Sequence, residues 1–218
     1  MKLSELLFKN TKELWDRSAQ KPFVMEMAKG TLARDFFKRY MLQDYLYLQE
    51  YIEILKRIRE FSESGEITSF LDGIIEEVIR EVDRVHVPNM EGLGITGDEI
   101  EKGKPFPVIT EYTGYMRSQV EEHGLLGGIT ALLQCSWVYA YIGKTVSEKY
   151  PEDIANSEYG SWFEAYTCDG YLDANNTWID VLDKLGATIS EEEATTMCGI
   201  FTKCAQYENE LWDALYLT

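Results

Sequence analysis

Histidine is the scarcest chemistry-bearing residue in this 218-residue chain: there are two, His86 and His123. A di-iron helical bundle needs two Glu-x-x-His repeats plus two further carboxylates. The nearest approach is one Asp-x-x-His, Asp83 to His86, and nothing comparable surrounds His123. Residues 1–85 hold no histidine, so no haem ligand of that type lies in the first helices. His86 reads as a helix-end residue and His123 as a partner of a helix C-terminal dipole. No metal or other cofactor is implied. Basic residues are also short, 21 Lys and Arg against 38 Asp and Glu, for a net charge of −17. Nucleic acid and anionic membranes need basic surface, so neither is an expected partner. Five prolines are too few for a linker-rich or low-complexity chain. No Cys-x-x-Cys pair occurs among Cys135, Cys168, Cys198 and Cys204. The first ten residues carry Glu5 and Lys9 and lead into no apolar run of the signal-peptide kind. Free thiols in a reducing cytoplasm are therefore expected. Gly-Leu-Leu-Gly-Gly at 124–128 lacks the lysine of a phosphate loop. No segment alternates at period two.

What remains is helical periodicity in a chain that is 45% hydrophobic. Leu3, Leu6, Leu7, Thr11, Leu14 and Trp15 repeat at three and four residues and define a first amphipathic helix, ended or kinked by Pro22. Thr31 is placed to cap a long second helix reaching about Ser62, and a third runs from about Glu66 to Val85. Pro88 to Pro107 reads as an irregular segment. A fourth helix follows from about Val108 to His123, then the helix of Cys135, ending near Tyr150. Further helices are expected at about Glu152–Thr167, Asp173–Leu185 and Ser190–Tyr216, the last opened by a Ser190–Glu193 capping box. The expected architecture is all-α: one domain over residues 1–218, an irregular bundle of seven or eight helices.

The longest uncharged stretch, Gly124–Gly143, holds Cys135 between Gln134 and Ser136, with Tyr139 one helical turn on. Its 20 residues are about long enough to cross a bilayer. Its four glycines, its polar side chains and the charges that follow at Lys144 and Glu148 favour the core of a folded bundle. In such a helix a free Cys is by default a small buried hydrophobe. The alternative is a pocket, because a thiol and a phenol at i and i+4 share a face and buried polar groups without partners are costly. Aromatics and carboxylates recur at the same spacing elsewhere: Asp44 with Tyr47, Glu111 beside Tyr112, Trp162 with Tyr166, and Glu208 four before Trp212. An ordinary aromatic core with acids at its edge produces the same pattern.

Five segments, in order, carry a family resemblance: Gln-Asp-Tyr-Leu-Tyr at 43–47, Phe-Pro-Val-Ile-Thr-Glu-Tyr at 106–112, Ala-Leu-Leu-Gln-Cys-Ser-Trp-Val-Tyr-Ala-Tyr-Ile-Gly around Cys135, Tyr-Gly-Ser-Trp-Phe-Glu-Ala-Tyr at 159–166, and Tyr-Glu-Asn-Glu-Leu-Trp-Asp-Ala-Leu-Tyr at 207–216. Along nearly its whole length the chain resembles the TenA family, thiaminase II or aminopyrimidine aminohydrolase, in its cysteine-containing branch. The resemblance implies a haem-oxygenase-like fold without haem, assembly as a homotetramer, and a small aminopyrimidine as substrate. It implies hydrolysis of 4-amino-5-aminomethyl-2-methylpyrimidine to the hydroxymethylpyrimidine in thiamine salvage, and cleavage of thiamine to pyrimidine and thiazole. By the same likeness Cys135 is the nucleophile. Asp44 is the carboxylate at the amino-pyrimidine edge beside that thiol, and Glu208 is the acid/base on the opposite side of the ring. Tyr47, Tyr112, Tyr139 and Tyr166 line the pocket. Two positions depart from the pattern. Gln134 stands where many relatives have proline, and Leu211, also in the binding set, stands where many have phenylalanine. A non-catalytic pyrimidine-binding or regulatory member is the rival reading, and an oxygenase on the same fold is a third.

Overall fold

The computed structural model describes residues 1–216, and among them no strand occurs. The helices are α1 (Leu3–Ser18), α2 (Pro22–Ala28), α3 (Arg34–Glu60), α4 (Gly65–Glu81), a π-helical turn (Val82–His86), α5 (Val87–Gly92), α6 (Gly97–Lys102), α7 (Pro107–Lys149), α8 (Pro151–Asn156), α9 (Gly160–Thr167), α10 (Asp169–Leu185), a 3₁₀ turn (Gly186–Thr188) and α11 (Glu191–Tyr216). The all-α expectation holds.

The chain forms two compact units. One comprises Met1–Leu32 together with the chain from Ile129 onward; the other is Ala33–Gly128. In the first, α1 packs along α11. Its core is aromatic. Fully buried Trp15 meets the rings of Phe8, Trp137, Tyr141 and Phe201 at centroid distances of 5.3 to 5.8 Å. In the second, α3 packs on α4, the π turn and α5. Its core is Leu55, Ile54, Ile58, Leu71, Met90, Ile109 and Met116. Exposed ion pairs trim its surface, Arg57 with Glu121 and Arg117 with Glu50 among them.

Several boundaries differ from those read in the sequence. Pro22 neither ends nor kinks α1. That helix stops at Ser18, and Pro22 opens α2, where its missing N–H costs nothing. Thr31 is not the cap of α3, whose N-cap is Ala33; Thr31 N–H instead donates to the Glu26 carbonyl, closing α2 after Gly30 at φ 66°. Residues 88–107 are not irregular: α5 and α6 lie there, and α6 is held by a Thr96–Glu99 capping box. Pro88 sits in the first turn of α5, where a proline fits. The expected single helix at 152–167 is two, α8 and α9, broken at extended Ser157. The Ser190–Glu193 capping box is present, with reciprocal bonds of 2.8 and 3.2 Å.

The expected break after His123 falls at Gly124, whose φ 58° and ψ −143° kink α7. Only glycine takes that conformation cheaply. The helix carrying it is long and apolar enough to cross a membrane, but 67% of its apolar window is buried within the protein, as in a core helix.

Candidate active site

The eight residues singled out in the sequence divide between the two units: Cys135, Tyr139, Tyr166, Glu208 and Leu211 in one, Asp44, Tyr47 and Tyr112 in the other. Each group forms its own constellation.

In the first unit Cys135 is half-buried on α7, one turn before buried Tyr139. The 125–149 arm of α7 is regular, so thiol and phenol share a face, as the spacing requires. Tyr139 meets Tyr166 edge-on at 4.9 Å and approaches Trp162 and Trp212 at 5.7 Å each. Tyr166 in turn packs edge-on against Trp162 at 4.6 Å and Tyr171 at 5.0 Å. Tilted and T-shaped contacts of this kind are the favoured geometries for aromatic pairs. They build a stiff wall from residues on α7, α9, α10 and α11. Behind Cys135, Ser136 Oγ donates to Asn175 Oδ1 at 2.9 Å, and Tyr171 O–H donates to the Ser136 carbonyl at 3.0 Å. This second tie pins the backbone next to the thiol.

Glu208 lies on α11 at 1% exposure, with Leu211 at 5% on the same helix. A carboxyl group that deep is costly to ionise unless it is paired. One turn earlier, Cys204 is fully buried, and burial together with the Glu208 charge pushes its thiol well above the ordinary value. Cys204 is therefore an inert thiol. Cys168 is exposed and Cys198 half-buried, with burial raising the Cys198 thiol. Gln134, one of the two departures, is completely buried.

In the second unit Asp44 sits on α3 at 8% exposure. Its neighbour Gln43 takes the Phe106 N–H at 2.7 Å and donates to the Lys104 carbonyl at 3.0 Å. That clamp joins two of the sequence segments, 43–47 and 106–112, and sets the start of α7. Tyr47 and fully buried Tyr112 stack at 5.7 Å with an interplanar angle of 26°. The Tyr47 hydroxyl reaches the Met116 sulfur at 3.9 Å.

Sequence reasoning missed His86. It is not merely a helix-end residue: it closes the π turn, is 3% exposed, and its Nε2 lies 2.7 Å from Asp44 Oδ2. Burial disfavours the charged ring, but the hydrogen bond and charge of Asp44, with Glu81, outweigh it and hold the imidazole above its usual value. Glu81 is itself raised, by burial first, with His86 opposing and Asp44 adding. In the sequence His86 pairs by spacing with Asp83 on its own helix, whereas its partner in the structure is Asp44 on α3. His123 is less buried and lies 4.0 Å from Glu122. No cluster of three or more metal-ligating side chains occurs among the described residues.

A sequence profile of the TENA/THI-4/PQQC family matches residues 8–217, and the chain belongs to that family. An aminopyrimidine aminohydrolase of Helicobacter pylori is 28% identical, with 99% of each chain covered. Among solved structures, a TenA homologue from P. horikoshii superposes with a TM-score of 0.84 at 24% identity, covering 99% of each chain. A domain of unknown function from Shewanella denitrificans, described as having a heme oxygenase-like fold, superposes with a TM-score of 0.76 at 14% identity, covering 99% of this chain and 92% of that one. The fold is thus the haem-oxygenase-like one.

Proposed function

We propose that this member of the family is an aminopyrimidine aminohydrolase of thiamine salvage. Its substrate is 4-amino-5-aminomethyl-2-methylpyrimidine, hydrolysed to the hydroxymethylpyrimidine and ammonia, with thiamine as a second substrate. The carrying observation is full-length likeness to a relative of that name, joined to a half-buried Cys135 one turn from Tyr139 in an aromatic wall.

Cys135 is the nucleophile. A thiolate adding to the electron-poor ring disrupts its aromaticity, and protonation of a ring nitrogen in the same step lowers that barrier. Glu208 supplies the proton. The electron pair returned by the ring then expels the 5-methylene substituent, bound in its ammonium form, as neutral ammonia. Water adds to that carbon and gives its proton to the released ammonia, the sulfur leaves as thiolate, and the ring nitrogen returns its proton to Glu208, so the net change is exchange of –NH₂ for –OH with ammonium released. Asp44 accepts hydrogen bonds from the pyrimidine's amino edge. Tyr47, Tyr112, Tyr139 and Tyr166 provide flat walls, and Leu211 gives an aliphatic surface where an aromatic one would stack. The chemistry calls for no cofactor. Action in the cytoplasm and assembly as a homotetramer are part of the same proposal, and light scattering of the purified protein tests the assembly.

The decisive experiment measures ammonia release from the aminomethylpyrimidine and thiazole release from thiamine, by wild type and Cys135→Ser side by side. Release lost in the variant supports the reading and names the better substrate. Folded wild-type protein that releases neither product sinks it, and a binding or regulatory role takes its place.

A further inference from the structure

We infer that His86 is a positioning residue of the hydrolytic site: its Nε2–H fixes the Asp44 carboxylate in the orientation that receives the pyrimidine's amino group. The inference rests on the aminopyrimidine reading above and adds to it a residue that touches no substrate.

Three observations carry it. First, the contact is short and buried on both sides: 2.7 Å between His86 Nε2 and Asp44 Oδ2, with the two residues 3% and 8% exposed. An ionised carboxylate only accepts, so Nε2 carries the proton and donates it. Such charge-assisted bonds in a shielded place are among the stronger ones. Second, the ring is also addressed from its own segment: the backbone and the charge of Glu81 act on the imidazole, while its Nε2 faces Asp44 on α3. Third, the backbone is built to deliver it. His86 ends a π-helical turn, in which Val87 N–H reaches back five residues to the Val82 carbonyl. Pro88 follows directly and has no N–H to offer the Arg84 carbonyl. Single π turns inside α-helices are often found at functional sites. The extra residue changes the face on which His86 emerges relative to α4.

The bond occupies Oδ2 and leaves Oδ1 to accept the amino N–H of the substrate. Without the donor, Asp44 is free to rotate. Glu81 lies close enough to interact electrostatically with both Asp44 and His86.

The test is a set of full-length variants assayed for kcat and KM on the aminomethylpyrimidine: Asp44→Ala, His86→Ala, the double variant, His86→Gln and His86→Asn. A glutamine amide nitrogen reaches the place of Nε2, and an asparagine amide nitrogen reaches the place of Nδ1. His86→Ala is expected to lose about 10- to 100-fold in kcat/KM. His86→Gln should recover about tenfold of that loss, with His86→Asn no better than alanine. In the Asp44→Ala background, removing His86 should cost nothing further, because a residue that acts only through Asp44 has nothing left to act on. An additive loss in the double variant, or asparagine matching glutamine, overturns the inference. If the alanine variants fail to fold, the glutamine–asparagine comparison decides alone. Wild type that turns over the pyrimidine while the cycle is additive removes only the role of His86. Wild type that does not turn it over removes the function and this inference with it.

Discussion

The two compact units differ in the chemistry they carry. All five tryptophans and all four cysteines belong to the unit containing α1 and α11, and both histidines to the unit containing α3 and α4. One holds its thiol against a wall of interlocked rings. The other holds a carboxylate on an imidazole and, separately, stacks two tyrosines. The difference teaches that stiffness has two sources in this fold. Large rings fix Tyr139 and Tyr166 through contact area and geometry, whereas Asp44 is fixed by a hydrogen bond between groups that would be expensive to leave unpaired.

The sharpest way to break that division is at sulfur. Cys135→Ser is expected to lower ammonia release by on the order of a thousandfold or more, whereas Cys168→Ser leaves it unchanged. Accessibility alone would make Cys168 the faster to label, since it is exposed and Cys135 is half-buried. Protection by a pyrimidine, not labelling rate, therefore distinguishes them. Equal loss in both variants would end the assignment of the nucleophile. Next comes Glu208→Gln, expected to cost about 10²- to 10⁴-fold in kcat as a lost general acid/base; steady-state kinetics near wild type would show that the buried carboxyl is only structural. Stability gives a third contrast. Trp15→Ala in the aromatic core should cost about 3–5 kcal/mol in denaturant unfolding, while Arg57→Ala, which removes exposed ion pairs, should leave the midpoint in place. A large shift for Arg57 would reverse the view of which interactions hold each unit. Gly124→Ala should cost about 1–3 kcal/mol in the same assay, because the new Cβ is forced into a region that L-residues avoid. The smallest effect is local. Glu99 is held at about 2 by the Thr96 backbone N–H, then by Lys38 and the Thr96 hydroxyl. What this carboxylate contributes to capping α6 is therefore complete above about 4.5, its ordinary value, and is lost as pH falls through about 2. A carboxyl titration by NMR with its midpoint near the ordinary value would show that the cap does not form.

Much of this was legible in the sequence because it is local. The Ser190–Glu193 box, the break before Gly124 and the shared face of Cys135 and Tyr139 each depend on residues within one turn. Errors came where the partner was further away or the signal had two meanings. Thr31 looks like a cap, yet its N–H is taken by Glu26 from the preceding helix. Pro88 reads as a breaker, but the turn before it absorbs the missing bond. The α8–α9 break arises where Gly160 passes so close to Ile154 that a Cβ would lie 2.5 Å from its carbonyl oxygen, a contact made by folding rather than by spacing. Cys135, Asp44 and Glu208 became candidates together through the family resemblance, since no periodicity links positions 44, 135 and 208. His86 was missed because 42 residues of chain separate it from Asp44.

The π turn before Pro88 has a meaning for engineering. A helix that gains one residue without losing its ends stores the extra residue as a wider turn. Deleting one residue from 82–86 would let the segment relax to ordinary α-helix, and each residue of such a helix turns the next by about 100°. His86 would swing off Asp44 while every other contact of α4 stayed in register. One codon in this short stretch therefore works as a dial between a carboxylate that is held and one that is not.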